Sequence, residues 1–264
     1  MRTFRLPGIS LRQIACGGVM LLFFVCASQL MAESDTNSVI GHLEMTFANL
    51  RERFRTDTND AQLAWQFGRA CFDMSSLQKD TSLEASIAEQ GIAACRCSLS
   101  LSNSVQGHYY LGMNIGQLAD TKHNLSGLHM VKDMEREFQA SRLMDEHFDY
   151  GGPDRNLGLL YREAPVIVSI GSRSKARQHL EMAIQLAPDF PENRLNLIEA
   201  YLKWDYHTEA LRELERLRQI WPEAQKKFTG EQWILSWEDW NKRLGAAMKK
   251  LEAGSKVNES PHSQ

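Results

Sequence analysis

The residues of this sequence best suited to bind a ligand are basic and aromatic side chains that share one face of several predicted helices. Trp65 and Arg69 are four residues apart, and Arg155 and Arg162 are seven apart, so each pair lies on a single helix face. Guanidinium groups pair with carboxylates through two parallel hydrogen bonds, and aromatic rings bind apolar groups. The pattern predicts a surface for a protein partner or a small organic ligand that is partly apolar and carries a carboxylate. The predicted binding residues are Trp65, Arg69, Tyr109, Met113, Arg155, Arg162 and Glu199.

The same pattern has a purely structural interpretation. Arginines such as Arg155 and Arg162 can bridge neighbouring helices, and the apolar residues at equivalent positions can pack the array. The sequence leaves both interpretations open. The further residues that fall at equivalent positions are Phe72, Leu159, Leu195 and Leu202.

Motifs for catalysis or metal binding are absent from the sequence. It has no glycine-rich phosphate loop, no pair of histidines around a glutamate on one helix face, and no Gly-x-Ser-x-Gly elbow. His123 with His129, and Glu146 with His147 and Asp149, lack the spacing of known metal sites. We therefore predict a protein that is not an enzyme, with no catalytic residues, no metal and no cofactor.

The elements that position these residues are indicated by an internal repeat. Small and apolar residues recur after 34 residues, the period of the tetratricopeptide repeat, a helix-turn-helix unit that stacks into a solenoid. The sequence predicts an all-α solenoid of about four irregular helix pairs, with extra N- and C-terminal helices. The recurring pairs are Ala176 and Ala210, Leu180 and Leu214, Ala183 and Leu217, and Pro188 and Pro222.

The predicted helical domain covers residues 33–252, and its units lie near 61–100, 105–144, 151–188 and 191–222. An apolar stripe between Ile40 and Phe54 predicts a helix before them. Pro222 is expected to end the last second helix because proline cannot continue the hydrogen-bond ladder. The apolar insertion 164–171 in the third unit is expected to pack onto the array.

A C-terminal helix is predicted over residues 230–252, with Trp233, Trp237 and Trp240 on one face. We interpret it as a cap over the last open end of the solenoid, with an aromatic ligand platform as the alternative. The polar residues 253–264 are expected to be disordered.

The first 32 residues resemble a cleavable signal peptide. Arg2, Arg5 and Arg12 precede an apolar run from Ile14 to Ala27, which is shorter than a membrane-spanning helix of about 20 residues. An uncleaved anchor is the alternative, and Cys16 and Cys26 are poorly placed for lipid attachment. We predict a soluble periplasmic protein. Cleavage removes three of 30 basic residues and leaves 27 against 33 acidic ones, a net charge of −6 that argues against nucleic acid as a partner.

Three cysteines lie beyond the predicted signal peptide: Cys71, Cys95 and Cys97. Free cysteine is often buried as a small apolar residue, and this is the interpretation we favour for all three. The alternative is a disulfide between Cys71 and Cys97, which an oxidising compartment would permit.

Three stretches, covering much of residues 60–225, resemble the T-component family of tripartite ATP-independent periplasmic (TRAP) transporters. The resemblance implies a periplasmic accessory of solute uptake that binds a solute receptor, a small organic ligand, or both. The alternative function is a general cell-envelope scaffold for protein–protein interaction, and a homo-oligomer remains open. The stretches are GHYYLGMNIGQLAD (107–120), FDYGGPDRNLGLLYREAP (148–165) and SIGSRSKARQHLEMAIQLAPDFPENRLNLIEAYL (169–202).

Overall fold

The computed structural model of the chain describes residues 22–122, 126–165 and 169–258. Several predictions fall on residues outside these ranges: most of the signal peptide, the candidate metal ligand His123, the centre of the insertion at 166–168, and the end of the tail at 259–264. None of the described helices is long and apolar enough to cross a membrane.

The described residues form an all-α array, as the repeat predicts, with no strand among them. Each first helix packs on the second helix of its own pair, and that second helix packs on the first helix of the next pair. This stacking confirms the solenoid. The helices are α1 (Leu22–Thr56), α2 (Ala61–Ser76), α3 (Thr81–Leu101), α4 (Val105–Asp120), α5 (Ser126–Met144), α6 (Phe148–Glu163), α7 (Arg173–Leu186), α8 (Pro191–Lys203), α9 (His207–Lys227) and α10 (Ile234–Asn258), which follows a 3-10 turn at Glu231–Trp233.

Polar side chains fix where several of these helices begin. Asp60 and Asp80 accept hydrogen bonds from backbone amides in the first turns of α2 and α3, and Ser104 and Ser172 do so for α4 and α7. These side chains satisfy amides that have no partner within the helix. They set the phase of each helix, and hence which residues face the neighbouring helices.

Glycines let the helices of the first three pairs approach closely. A Cβ on Gly68 would lie 2.2 Å from the Cys95 sulfur, and one on Gly112 would lie 2.7 Å from the Phe138 ring. Gly91 of α3 leaves room in the same way for Asn114 of α4, whose amide donates to the carbonyls of Gly68 and Tyr110. Asn114 thus ties three helices together at the start of the array.

The prediction that Pro222 ends a helix is wrong. Helix α9 continues through Pro222 to Lys227. The added turns carry Ala224, which is buried, and lead to Phe228, also buried, which packs against Trp240 of α10. Burial of these side chains stabilises the extension and outweighs the hydrogen bond that the proline cannot make.

Helix α10 covers the last helix pair with its tryptophan face. The Trp240 side chain is buried against Phe190 and Phe228, and the Trp237 indole donates to the Phe228 carbonyl. These contacts engage Trp237 and Trp240 within the chain, and the capping role stays a prediction. The helix also continues past its predicted end at 252 to Asn258, so the first part of the tail that was expected to be disordered is helical.

The two ends of the array meet. The C-terminal half of α1 packs on α2 through Phe47 and Phe54, whose rings contact Phe67. An earlier part of α1 contacts the 3-10 turn and the start of α10: His42 pairs with Glu231 of the turn, and Thr36 donates to Glu238 of α10. Helix α1 therefore lies between α2 and α10 and closes the arc formed by the repeats.

All three cysteines are free thiols in the structure, without a bond between Cys71 and Cys97. Cys71 and Cys95 are buried, and burial raises the pKa of the Cys71 thiol to about 12 and that of Cys95 further still. Cys97 is half-buried, and its thiol donates to the Thr58 carbonyl at 3.3 Å. The two fully buried thiols are packing residues with low reactivity.

Candidate partner-binding surface

The predicted binding residues lie on the first helices α2, α4, α6 and α8. In a solenoid of such helix pairs the first helices line the inner, concave surface. The structure divides those residues into three groups. Arg69 of α2 is exposed, and Trp65 of α2 and Met113 of α4 are half-buried beside it; these residues form what we call the open stretch. Tyr109 and Arg155 are buried in a hydrogen-bonded network, and Arg162 and Glu199 are engaged beside α10.

The open stretch of the inner surface combines stacked aromatic rings with one accessible guanidinium. The rings of Trp65 and Tyr110 are parallel, with centroids 6.1 Å apart. Arg69 lies over the Tyr110 ring at 5.8 Å and keeps 58% of its side chain exposed. Its ion-pair partner is Asp73, with 3.6 Å between Nε and the carboxylate. Arg69 therefore retains donors that a second carboxylate can occupy.

Asp73 has an unusual electrostatic environment. Burial raises the pKa of its carboxyl to about 6, Arg69 opposes this shift, and the nearby Asp149 adds to it. Asp73 is therefore partly protonated in mildly acidic solution. The charge balance of the open stretch then changes with pH between about 5 and 7.

A buried polar network marks the boundary between the second and third pairs. The Arg155 guanidinium donates to the Asp149 carboxylate at 2.5 Å, to the Asp149 carbonyl at 3.0 Å and to the Tyr109 hydroxyl at 3.2 Å. The Tyr109 hydroxyl in turn donates to Asp149, and Asn156 donates to Tyr109. These contacts commit Tyr109 and Arg155 to the protein itself.

Charges inside the network support one another. Burial lowers the pKa of Arg155, but the neighbouring Tyr109 and Asp149 outweigh it, and the pKa is raised overall. Burial also raises the pKa of the Tyr109 hydroxyl well above its ordinary value. Arg155 stays charged and Tyr109 stays neutral at physiological pH, as their hydrogen bonds require.

The network holds three consecutive residues in the left-handed region of backbone space. Asp149, Tyr150 and Gly151 have φ angles of 50°, 58° and 74°. A left-handed residue other than glycine costs about 1–2 kcal/mol. Arg155 donates to the carbonyls of Asp149 and Tyr150, and Asn193 of α8 also donates to Tyr150. The regular part of α6 begins only after this turn, with Pro153 in its first turn.

The left-handed turn places the Tyr150 ring among the aromatic residues of the C-terminal half. The ring stacks on Phe190 with a centroid distance of 4.6 Å and an interplanar angle of 10°, and it meets Trp233 edge-on. About a third of Tyr150 remains exposed. The turn therefore joins the second helix pair to the helices that cap the array.

The inner surface of α8 is covered by α10. Arg243 of α10 makes a bidentate pair with Glu199, at 2.7 and 3.0 Å, and also donates to Asn196. Arg162 reaches the same place from α6, where it donates to the Asn196 carbonyl and lies 3.6 Å from Glu199. Both predicted binding residues here have partners within the chain, as the structural interpretation requires.

The residues that carry the family resemblance have structural roles of the same kind. In the Gly-Pro-Asp-Arg stretch, Asp154 is fully buried and accepts from Arg142 of α5 and pairs with His179 of α7. Arg155 holds the left-handed turn. These residues join α5, α6 and α7 and have no side chain left free for a ligand.

Sequence reasoning missed Asp73, Tyr110 and Asp149 at this surface. Asp73 and Tyr110 lie next to positions that were identified, one residue beyond Phe72 and Tyr109 respectively. Asp149 was considered only as a metal ligand, and the described residues hold no group of three or more metal-ligating side chains. The consecutive glycines at 151 and 152 are the one sequence signal that pointed to unusual backbone there.

The fold and the inner surface together define a helical-repeat array of the tetratricopeptide-repeat type. No family model matches the chain, and no curated protein matches it either. Solved structures are similar to it at the level of the fold.

One similar structure is TTC0263, a thermophilic TPR protein in Thermus thermophilus, with a TM-score of 0.58 and 16% identity. The match covers 83% of this chain and 98% of that chain. Another is MamA, with a TM-score of 0.51 and 14% identity over 74% of this chain and 96% of that one. At these identities the similarity supports the tetratricopeptide-repeat fold and nothing beyond it.

Proposed function

We propose that this chain is a non-enzymatic protein-interaction module that binds its partner on the open stretch of α2 and α4. The observation that carries the proposal is the exposed Arg69 beside the stacked Trp65 and Tyr110 rings. Aromatic residues and arginine are enriched among the residues that dominate binding energy at protein interfaces. The partner segment that fits carries a carboxylate for Arg69 and an apolar side chain for Trp65 and Met113.

The proposal also covers the cellular compartment in which the protein acts. We propose export to the periplasm, with cleavage near Ala32. The described side-chain contacts of α1 begin at Thr36 and Val39, so this cleavage leaves the closure of the array intact. N-terminal sequencing of the mature protein from cells tests it. A mature chain that begins at Met1 contradicts the proposal.

A more specific role follows from the resemblance to the T-component family. In that role the partner is the solute receptor of a TRAP-type uptake system. The residues behind the resemblance pack the array, so this role rests on the sequence likeness and not on the open stretch. A general envelope scaffold uses the same surface with a different partner.

The test is affinity capture from cells of the source organism with two charge-reversal variants. Arg69→Glu places a negative charge where the partner carboxylate is expected, whereas Arg212→Glu makes the same change on an exposed position of α9. We expect one protein to be enriched by the wild type and by Arg212→Glu but lost with Arg69→Glu. Identification of that protein as a solute receptor supports the transport role.

Two results oppose the proposal. If the same protein is captured equally by all three chains, the partner binds elsewhere. If purified partner binds Arg69→Glu and the wild type with equal affinity in calorimetry, the open stretch of α2 and α4 is not the binding surface.

A further inference from the structure

A cleft of about 330 Å³ has a lining that includes none of the residues of the open stretch. It lies between the second helices α3 and α5 and above α4. Its floor is apolar and consists of Ile92, Ile115 and Leu118, with Met130 at the side. A volume of this size is near the lower end of small-ligand sites and is large enough for one aromatic ring.

The corresponding groove of the next unit is filled by a side chain of the chain itself. Tyr161 of α6 lies between α5 and α7. Its ring stacks on His179 of α7 at 5.4 Å, and its hydroxyl donates to Glu135 of α5. Lys175 of α7 covers the ring at 4.9 Å. A phenol ring anchored by a glutamate thus occupies the groove between α5 and α7.

The fourth unit repeats this arrangement. Tyr201 of α8 donates its hydroxyl to Glu181 of the preceding second helix, α7, at 3.3 Å. Tyr161 and Tyr201 both stand at the eleventh position of their units, counted from 151 and 191. Counted from 105, the eleventh position of the second unit is Ile115. Isoleucine has neither the length nor the hydroxyl of tyrosine, which explains why this groove stays open.

The rim of the cleft retains the polar groups that a phenol needs. Glu89 is exposed on α3 and has no ion pair among the described residues, and the same is true of Arg96. The two lie on one face of α3, separated by seven residues or about 10 Å. Glu89 offers a carboxylate acceptor for a hydroxyl that sits over Ile115, as Glu135 does for Tyr161.

We propose that the cleft between α3 and α5 binds an exposed tyrosine side chain of a partner protein. The incoming ring takes the place that Tyr161 and Tyr201 fill in their own units, and its hydroxyl donates to Glu89. This is a second interaction surface, lined by residues other than those of the open stretch, and it stands independently of the function proposed for α2 and α4.

N-acetyl-tyrosine amide is the first probe, with N-acetyl-phenylalanine amide and p-cresol as comparators. Titration into the full chain with isotope-labelled methyl groups is expected to shift the Ile92, Ile115 and Leu118 signals in a saturable way. The tyrosine amide is expected to bind more tightly than the phenylalanine amide, because a hydrogen bond to a carboxylate is a strong one. This preference is expected to disappear in Glu89→Gln.

Two variants test the location of the site. Ile115→Tyr gives the second unit the tyrosine ring that the third and fourth units have, and this ring fills the cleft. The change is expected to weaken tyrosine amide binding about tenfold or more. Ala93→Phe covers the cleft from an exposed rim position and leaves the core untouched, so it gives the same test if Ile115→Tyr does not fold. Tyr161→Phe, a change in the groove that is already filled, is expected to leave binding unaltered.

Three outcomes overturn the proposal. The first is the absence of saturable shifts with the tyrosine amide. The second is binding that survives in folded Ala93→Phe and Ile115→Tyr alike. The third is binding of p-cresol without the tyrosine amide, which indicates a site for a free phenol and not for a protein side chain.

Discussion

At the scale of single residues, Arg69 and Arg155 show that the same residue type can serve either packing or binding. Arg155 is buried and uses its donors on Asp149 and Tyr109, whereas Arg69 is largely exposed with Asp73 as its ion-pair partner. Both belong to the set that the sequence identified for binding. Their surroundings, and not their type or spacing, separate a structural arginine from an available one.

The buried arginine is expected to matter for stability. Arg155→Met removes the donors that hold the left-handed turn and leaves Asp149 without its ion-pair partner. We expect the free energy of unfolding to fall by about 1–3 kcal/mol, because the Tyr109 hydroxyl and the carbonyls of the turn lose a charged donor. Urea unfolding followed by circular dichroism measures this change. Arg69→Met is the matched control, with an expected loss below about 1 kcal/mol.

Asp73 makes stability depend on pH. Its pKa of about 6 in the folded chain exceeds its ordinary value of 3.8, so the folded state binds more protons than the unfolded state between these values. The contribution of Asp73 to stability is therefore greatest below pH 4 and is lost as pH rises through about 6. The melting temperature of the wild type, relative to that of Asp73→Asn, should therefore fall as pH rises from about 4 to 7. Parallel curves from pH 4 to 7 would contradict the shifted pKa.

At the scale of elements, the repeat period was enough to predict the helix pairs because apolar periodicity reports directly on which face is buried. Long-range polar contacts were not predictable in this way. Tyr109 and Asp149 are 40 residues apart, and their hydrogen bond depends on a left-handed turn that local sequence does not specify. The end of α9 was misjudged for a related reason, since the contacts of Ala224 and Phe228 with distant helices override the local effect of Pro222.

Glycines inside the helices provide a test of close packing. In Gly91→Ala the new Cβ would lie 2.1 Å from the Asn114 side-chain oxygen, so Asn114 must move and its hydrogen bonds weaken. We expect a loss of about 1–3 kcal/mol in unfolding free energy. Gly245→Ala in α10 is the control, because its Cβ would meet nothing within 4 Å. That change is expected to stabilise by about 0.5–1 kcal/mol through helix propensity. Equal effects of the two changes would contradict the packing described for α3 and α4.

At the scale of the whole molecule, closure of the array has a strong part and a weak part. The strong part is the aromatic packing of α10, where Trp240 is buried against Phe190 and Phe228. The weak part is the contact of α1 with the 3-10 turn that leads into α10, where His42 and Glu231 form a pair that is about half exposed. Exposed ion pairs contribute little to stability.

These two parts can be separated by mutation. Trp240→Ala is expected to cost about 3–5 kcal/mol, the usual loss for a large buried aromatic residue. Glu231→Gln is expected to change stability by less than about 1 kcal/mol. Calorimetric unfolding of both variants provides the comparison. A large loss in Glu231→Gln with little change in Trp240→Ala would reverse the assignment of strong and weak contacts.

The meeting of α1 with α10 also bears on how this array can evolve. Open repeat arrays gain and lose whole units by duplication and deletion, because each unit contacts only its neighbours. Here an added 34-residue unit would move α10 away from α1 and break the contact between His42 and Glu231. The number of repeats is thus tied to the geometry of closure. Change in this lineage is expected through insertions at the turns within units, where the chain already departs from the regular repeat.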